Sequence, residues 1–246
     1  MRAPAAPDRP AARDPLPRAE FIAALTAQGA RYWDKHPFHV RLHEGGCTQG
    51  DVRSWVANRW YYQRSLSQKN GAIIANCPLP EVRRQWVERI TFQDGSPGAA
   101  GPPGAAGGLA DWLVLAEAVG LTREEVQGEW QVLPGVRLAV DSYVNFCRTR
   151  PWTEGAAAAL TELFSPDLMT DRLAVFRQHY PWISPSGYAY FEARIPCVRQ
   201  DSEYTLGLVT GHCVTRVQQE AAIAALAFKC DVLWAMLDAI DYAGRS

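Results

Sequence analysis

The sequence lacks most of the features by which a chain advertises a partner. It carries almost no net charge: 25 Lys and Arg against 26 Asp and Glu leave -1 over 246 residues. No global basic field is there to recruit nucleic acid, and neither nucleic acid nor a membrane is an expected partner. No window approaches the roughly 20 uncharged apolar residues of a membrane span. Six cysteines, at 47, 77, 147, 197, 213 and 230, form no CxxC pair. In a chain this long they read as reduced, mostly buried thiols rather than a disulfide framework. Histidine is scarce, with five in the chain, and neither HExxH nor a Glu-x-x-His pair occurs. No metal site is therefore expected. Period-two alternation between hairpin turns is missing as well, which argues against strands.

What is present is apolar bulk. Hydrophobic residues make up 48% of the chain, including 9 Trp, 9 Tyr and 8 Phe, enough for a sizeable core. The opening stretch MRAPAAPDRPAARDPLP (1–17) is rich in Pro and Ala and broken by Arg and Asp. It has no continuous apolar segment of the signal-peptide kind, so it reads as a disordered tail on a cytoplasmic protein. Residues 18–246 are then expected to form a single helical catalytic domain.

Almost every later segment has helical period. Apolar residues recur at three and four in 18–33, 48–66, 79–92, 109–120, 134–148, 153–164, 166–180 and 214–243. Thr48 with Asp51 and TREE (122–125) look like capping boxes, Pro80 sits in a first turn, and Gly120 follows a helix end. The expected fold is all-α, a compact bundle of about seven helices joined by mostly short loops, with any site in the core between facing helices. One connection differs. In 95–108 glycines at 98, 101, 104 and 107 alternate with Ala and Pro; a single strand this short cannot form a triple helix, so the stretch reads as a flexible connector.

His36, His39 and His43 stand three and four apart in HPFHVRLH. On one helix face such a trio can bind a metal, but Pro37 starts a helix here, and capping or core hydrogen bonds are the expected use. In WVANRWYYQRSLSQK (55–69), Arg59, Tyr62, Gln63 and Lys69 fall roughly on one face. Cations beside aromatic rings can hold a planar anion, with Arg clamping carboxylates and the rings stacking. The alternative is an amphipathic helix whose Arg and Lys reach out to water. Arg89, Tyr143, Glu162, Arg172, Tyr190, Arg194 and Lys229 each put a polar group inside an apolar helical segment. Lys229 is the sharpest case, flanked by Ala227, Phe228, Cys230, Val232 and Leu233. A buried Lys is costly without an anion. A polycarboxylate ligand would provide one.

The blocks HPFH, WVANRWYYQ, NCPLPEVRRQWVERI, LAEAVGL, VLPGVRLAVDSYVNF, ALTELF, YPWI and FKCDVLWAMLDA resemble the pyrroloquinoline quinone (PQQ) synthase family of haem-oxygenase-like, TenA-related helical proteins. The resemblance runs from about residue 18 to 242. It implies a homodimer that closes a ring and carries out an eight-electron oxidation of a polycarboxylate quinone precursor with O2, the last step of PQQ formation. It implies no cofactor, since the substrate supplies the electrons, and release of hydrogen peroxide. Carried onto this sequence, Arg59, Gln63, Lys69, Arg89, Arg172 and Lys229 would hold substrate carboxylates and quinone oxygens, and Tyr32, Tyr143 and Glu162 would belong to the same pocket. Tyr190 and Arg194 would form the polar pocket for O2 and peroxide, where Arg stabilises developing negative charge. Three positions depart from the family pattern: Gln93, Met169 and Trp33 stand where it has histidine. Gln93 can hydrogen-bond a quinone oxygen but is no general base. Two alternatives stay open: an oxidase of the same type acting on another natural product, or a protein that binds PQQ or its precursor without turnover.

Overall fold

The computed structural model describes residues 13–96, 106–164 and 167–245, apart from the side chains of residues 197–199. Eleven α-helices follow one another, with four short 3-10 turns between them. They are α1 (Arg18–Thr26), α2 (Pro37–His43), α3 (Gln49–Asn76), α4 (Pro80–Asp94), α5 (Gly108–Ala118), α6 (Arg123–Gln127), α7 (Pro134–Thr149), α8 (Trp152–Ala158), α9 (Leu168–His179), α10 (Ala189–His212) and α11 (Arg216–Gly244). No strand occurs among the described residues, as expected, although the helices outnumber the seven that periodicity separates.

The extra elements have local causes. Residues 18–33 read as one helix, yet α1 stops at Thr26 and a 3-10 turn runs over Ala27–Arg31. Gly29 lies within that turn, where an added Cβ would stand 2.9 Å from the Phe164 ring. The stretch 153–164 likewise divides into α8 and a 3-10 turn over Leu160–Phe164. α3 outruns its expected end at 66 by ten residues and measures about 42 Å along its axis. Its start is fixed by a capping box between Thr48 and Asp51; Thr122 with Glu125 caps α6 in the same way, as does Thr215 with Gln218 for α11.

α3 is the central post. It packs against α4, α5 and α7, while α11 closes the bundle against α7 and α8, and α10 lies across α5, α8 and α9. Large aromatics fill the interior, with Trp33, Trp55, Trp86 and Trp112 fully buried. Of the expected tail, residues 1–12 lie outside the described residues, whereas Leu16 is held on both sides by Gln219: its N–H donates to Oε1 at 2.7 Å and its carbonyl accepts from Nε2 at 3.1 Å. The centre of the Gly/Pro stretch, 97–105, also lies outside the described residues. Its two ends are pinched together by glycines in positive-φ conformations, Gly95 at +82° and Gly107 at +91°. A Cβ on Gly107 would stand 2.3 Å from the Gly95 nitrogen, so only glycine lets the ends approach this closely. The five cysteines with described side chains are free and buried. No helix among the described residues is long and apolar enough to cross a membrane.

Candidate active site

On α3, positions 59, 62, 63, 66, 69 and 70 follow the three-four rhythm of one helical stripe. All six line a cavity of about 500 Å³, within the usual range for small-molecule sites. α4 adds a second stripe at Gln85, Glu88, Arg89, Phe92 and Gln93. α7 contributes Tyr143 and α11 Lys229; the turn after α8 brings Thr161 and Glu162, and α10 brings Tyr190, Arg194 and Asp201. Of the twelve residues expected in the site, ten line this cavity: Arg59, Gln63, Lys69, Arg89, Gln93, Tyr143, Glu162, Tyr190, Arg194 and Lys229. Tyr32 lines a satellite cavity of about 50 Å³, shared with Trp33, Arg59, Tyr62 and Met169. Arg172 lines neither and is buried one layer behind, between the rings of Trp33 and Trp55 at 5.4 and 4.9 Å.

The cations divide into two kinds. Arg194 donates from Nη2 to both Glu162 oxygens at 2.7 and 2.9 Å and from Nη1 to Asp201 Oδ2 at 2.8 Å. Burial opposes its charge, but Glu162 and Asp201 outweigh that and hold its pKa above the ordinary value. Arg89 donates to the Asp201 carbonyl at 2.9 Å and to Thr205 Oγ1 at 2.7 Å, with the Asp201 carboxylate 3.5 Å away.

Across the cavity no carboxylate among the described residues lies within ion-pair distance of Arg59, Lys69 or Lys229. Rings take the place of acids. The Arg59 guanidinium sits between Trp33 and Tyr62, 4.3 and 4.4 Å from their centroids. Lys229 Nζ stands 3.8 Å from the Tyr143 centroid and 4.2 Å from that of Tyr62, and is hydrogen-bonded to the Tyr62 hydroxyl at 2.9 Å. Lys69 Nζ faces the Tyr143 ring at 5.8 Å. Burial pulls all three below their ordinary values, Lys69 to about 8 and Lys229 further still, the latter also repelled by Arg59 and Lys69. Arg172 is drawn down to about 9 by burial and by Arg59; its side chain donates to His39 Nδ1 at 3.2 Å. Burial and then Arg172 lower His39 to about 2, so the ring is neutral and accepts that bond.

The expected histidine face has structural work. His36 caps α2 by accepting from Phe38 N–H at 3.0 Å, and His39 stacks on His43 at 4.1 Å. Gln93 is buried, 3% exposed, and donates to the Gln63 carbonyl at 3.1 Å and its side-chain oxygen at 3.2 Å. That same Gln63 oxygen accepts from the Tyr190 hydroxyl at 3.1 Å. Gln93, Gln63 and Tyr190 thus form one neutral hydrogen-bonded cluster, pressed close by Gly108 at the start of α5.

Two neighbours of the site escape a reading of the sequence. Tyr62 shows there only as a position on the α3 face, not as the hydroxyl partner of Lys229. Asp201 carried a signal that could have found it: it stands seven residues after Arg194, two turns along the same helix.

The sequence profile of the TENA/THI-4/PQQC family matches residues 22–239. The pyrroloquinoline-quinone synthase of Pseudomonas aeruginosa is 49% identical over 231 residues, 94% of this chain and 90% of that one. The protein of the same name from Cronobacter sakazakii is 50% identical over 224 residues, 91% and 87% of the two chains. Among solved structures, a domain of unknown function with a heme oxygenase-like fold from Shewanella denitrificans superposes with a TM-score of 0.75 at 11% identity, covering 94% of each chain. A TenA homolog from Pseudomonas syringae gives 0.69 at 10% identity, covering 91% of this chain and 92% of its own. At such identities the structures speak for the fold alone, which is haem-oxygenase-like and all-α.

Proposed function

The chain belongs to the TENA/THI-4/PQQC family, and from that premise we propose that it is a pyrroloquinoline-quinone synthase, an O2-dependent oxidase completing PQQ. The observation that carries the reading is the pair of buried cations without acids, Arg59 and Lys69, with the Lys229 amine beside them, around a cavity of about 500 Å³. Carboxylates of the precursor provide the missing negative charge, and charge-assisted hydrogen bonds to Arg and Lys orient it. Tyr143 and the Tyr62 ring flank the quinone plane, and Tyr32 closes the satellite cavity beside them. Arg172 acts from the second layer by adding positive potential behind Trp33.

The substrate closes one ring and gives up eight electrons to O2, with hydrogen peroxide as a product. Arg194, Tyr190 and Gln93 lie on the side where oxygen is reduced: the guanidinium stabilises peroxide anion as it forms, while the hydroxyl and amide donate hydrogen bonds. Residues 18–246 work as one catalytic domain in the cytoplasm. The protein acts as a homodimer, and Leu138 on α7 and Tyr242 on α11 are among the exposed apolar side chains that a second copy would cover.

The test is spectral and two-stage. Protein and PQQ precursor are mixed without oxygen, then air is admitted while O2, peroxide and PQQ are followed. A shifted anaerobic spectrum followed by PQQ and peroxide is the expected result. A shifted spectrum that persists unchanged in air would sink the oxidase reading and leave a carrier of the precursor. No shift at all would point to an oxidase for another substrate.

A further inference from the structure

A reaction that strips protons from its substrate needs a group to receive them. None of the chain's five histidines lines the cavity. His36, His39 and His43 belong to α2 and its cap, His179 lies against Gly45, and His212 meets Trp152 edge to face. The acids deep on the wall are committed, since Glu162 and Asp201 are the ion-pair partners of Arg194. Glu88 and Glu203 are exposed at the rim.

The amine of Lys229 is what remains. It is 1% exposed and makes one hydrogen bond among the described residues, to Tyr62 Oη at 2.9 Å. The groups facing it are known from every side: Arg59, Lys69 and Tyr62 on α3, Tyr143 and Cys147 on α7, Cys230 on its own helix, and Glu162 across the cavity. None is an acid paired with it. Burial and the two neighbouring cations favour its neutral form. Lys69 shares the burial but has no hydroxyl partner among the described residues to connect it onward. Tyr62 does line the cavity, so the pair spans from the space a substrate fills to a base behind it.

We propose that Tyr62 and Lys229 are the proton-transfer pair of this cavity, with Lys229 as base and the Tyr62 hydroxyl as relay. The inference rests on the oxidase reading above and deepens it. As a substrate C–H or N–H bond breaks, its proton passes to Tyr62 Oη while the phenolic proton passes to Lys229 Nζ. The electron pair stays on the substrate, spread into its quinone ring. The net change is one proton lost by the substrate and one ammonium formed. The substrate anion then passes two electrons and one hydrogen to O2, giving oxidised substrate and peroxide anion, and the ammonium returns its proton through Tyr62 to that anion, which resets the pair. Substrate carboxylates on Arg59 and Lys69 offset the repulsion from those two cations and so raise the proton affinity of the amine when substrate is bound.

The test has a substrate-free arm and a turnover arm. Side-chain nitrogens of lysine are followed by NMR against pH in the isolated protein, with Lys229→Arg assigning the signal. Lys229 is expected to titrate below the ordinary lysine range, and Tyr62→Phe to move that titration. In air with the PQQ precursor, Lys229→Arg places there a guanidinium that cannot give up its proton near neutral pH. It is expected to lower kcat by about 10²–10⁴ and to abolish the rise of kcat with pH, while anaerobic affinity changes less than about tenfold. Tyr62→Phe, which removes one oxygen, is expected to lower kcat with unchanged affinity, and circular dichroism checks that both variants fold. An ordinary lysine titration, or a Tyr62→Phe enzyme with the wild-type pH profile, overturns the proposal. If wild-type protein makes no PQQ, the oxidase reading fails by itself, and the NMR titration, which needs no substrate, decides the pair.

Discussion

On the α4–α10 side of the cavity Arg89 and Arg194 meet Asp201 and Glu162 at 2.7 to 3.5 Å, whereas on the α3–α11 side Arg59, Lys69 and Lys229 meet tyrosine and tryptophan rings. Both sides are cationic, yet they behave as opposites. The first is neutralised within the chain and adds to its cohesion. The second is not. A ring under a cation returns about 0.5–2 kcal/mol, less than the several kcal/mol that desolvating the charge costs. The α3–α11 wall is therefore a store of destabilisation that an anionic ligand relieves, and ligand binding should stabilise the fold strongly through that wall. The wall that binds is the one that the empty protein tolerates at a cost.

The largest expected effect lies on the unpaired side. Lys69→Met should weaken anaerobic binding of the precursor by about 2–5 kcal/mol, the range for truncating one member of a buried charge pair. The same change should stabilise the empty protein. The Lys69 ammonium, lowered from 10.5 to about 8 by burial, costs the fold at most about 3 kcal/mol at neutral pH. The sign follows from linkage. Below pH 8 both folded and unfolded chains hold the proton and the cost is full; between 8 and 10.5 the folded chain releases it first and stability recovers. Thermal melts at pH 7 should thus show a raised Tm for the variant, with the gain shrinking above pH 8. A lowered Tm at pH 7 would mean that Lys69 has a partner and the comparison fails.

On the paired side a smaller effect of opposite sign is expected. Glu162→Gln removes a carboxylate from the buried Arg194 guanidinium and should lower stability by about 1–3 kcal/mol, read from denaturant midpoints. If Glu162→Gln and Lys69→Met move the midpoint in the same direction, the two walls are not distinct.

The smallest effect is the pH dependence of affinity. Precursor affinity should be flat from about pH 6.5 to 8 and fall above it, at most tenfold per pH unit, as Lys69 loses the proton that an anion needs. Anaerobic titrations across that range check it, and an affinity that rises with pH above 8 would contradict the assignment of Lys69 as a carboxylate holder.

Much of the site could be read from the chain because it is written in stripes. Arg59, Gln63 and Lys69 share one face of α3 at helical spacing, and Tyr190 and Arg194 are four apart on α10. An isolated polar residue in an apolar helix, as at Lys229, marks the interior with no help from tertiary structure. Pairings were not legible. Arg89 and Asp201 are 112 residues apart, and Lys229 and Tyr62 are 167 apart. Arg172 shows the limit of the stripe rule: its spacing marks it as inward, but whether it lines the cavity or lies behind Trp33 depends on where α2 and α3 sit against α9.

The sequence by itself determined that the fold is helical and where α3 and α6 begin, since backbone hydrogen bonds four residues apart and the capping boxes of Thr48 with Asp51 and Thr122 with Glu125 are local interactions. It also determined that cations enter the core, because an inward face is a matter of spacing. Only the tertiary structure decided which of those cations found an acid. Ion pairing reaches a few ångströms in space, and helices far apart in the chain come within that reach only once the whole bundle has packed.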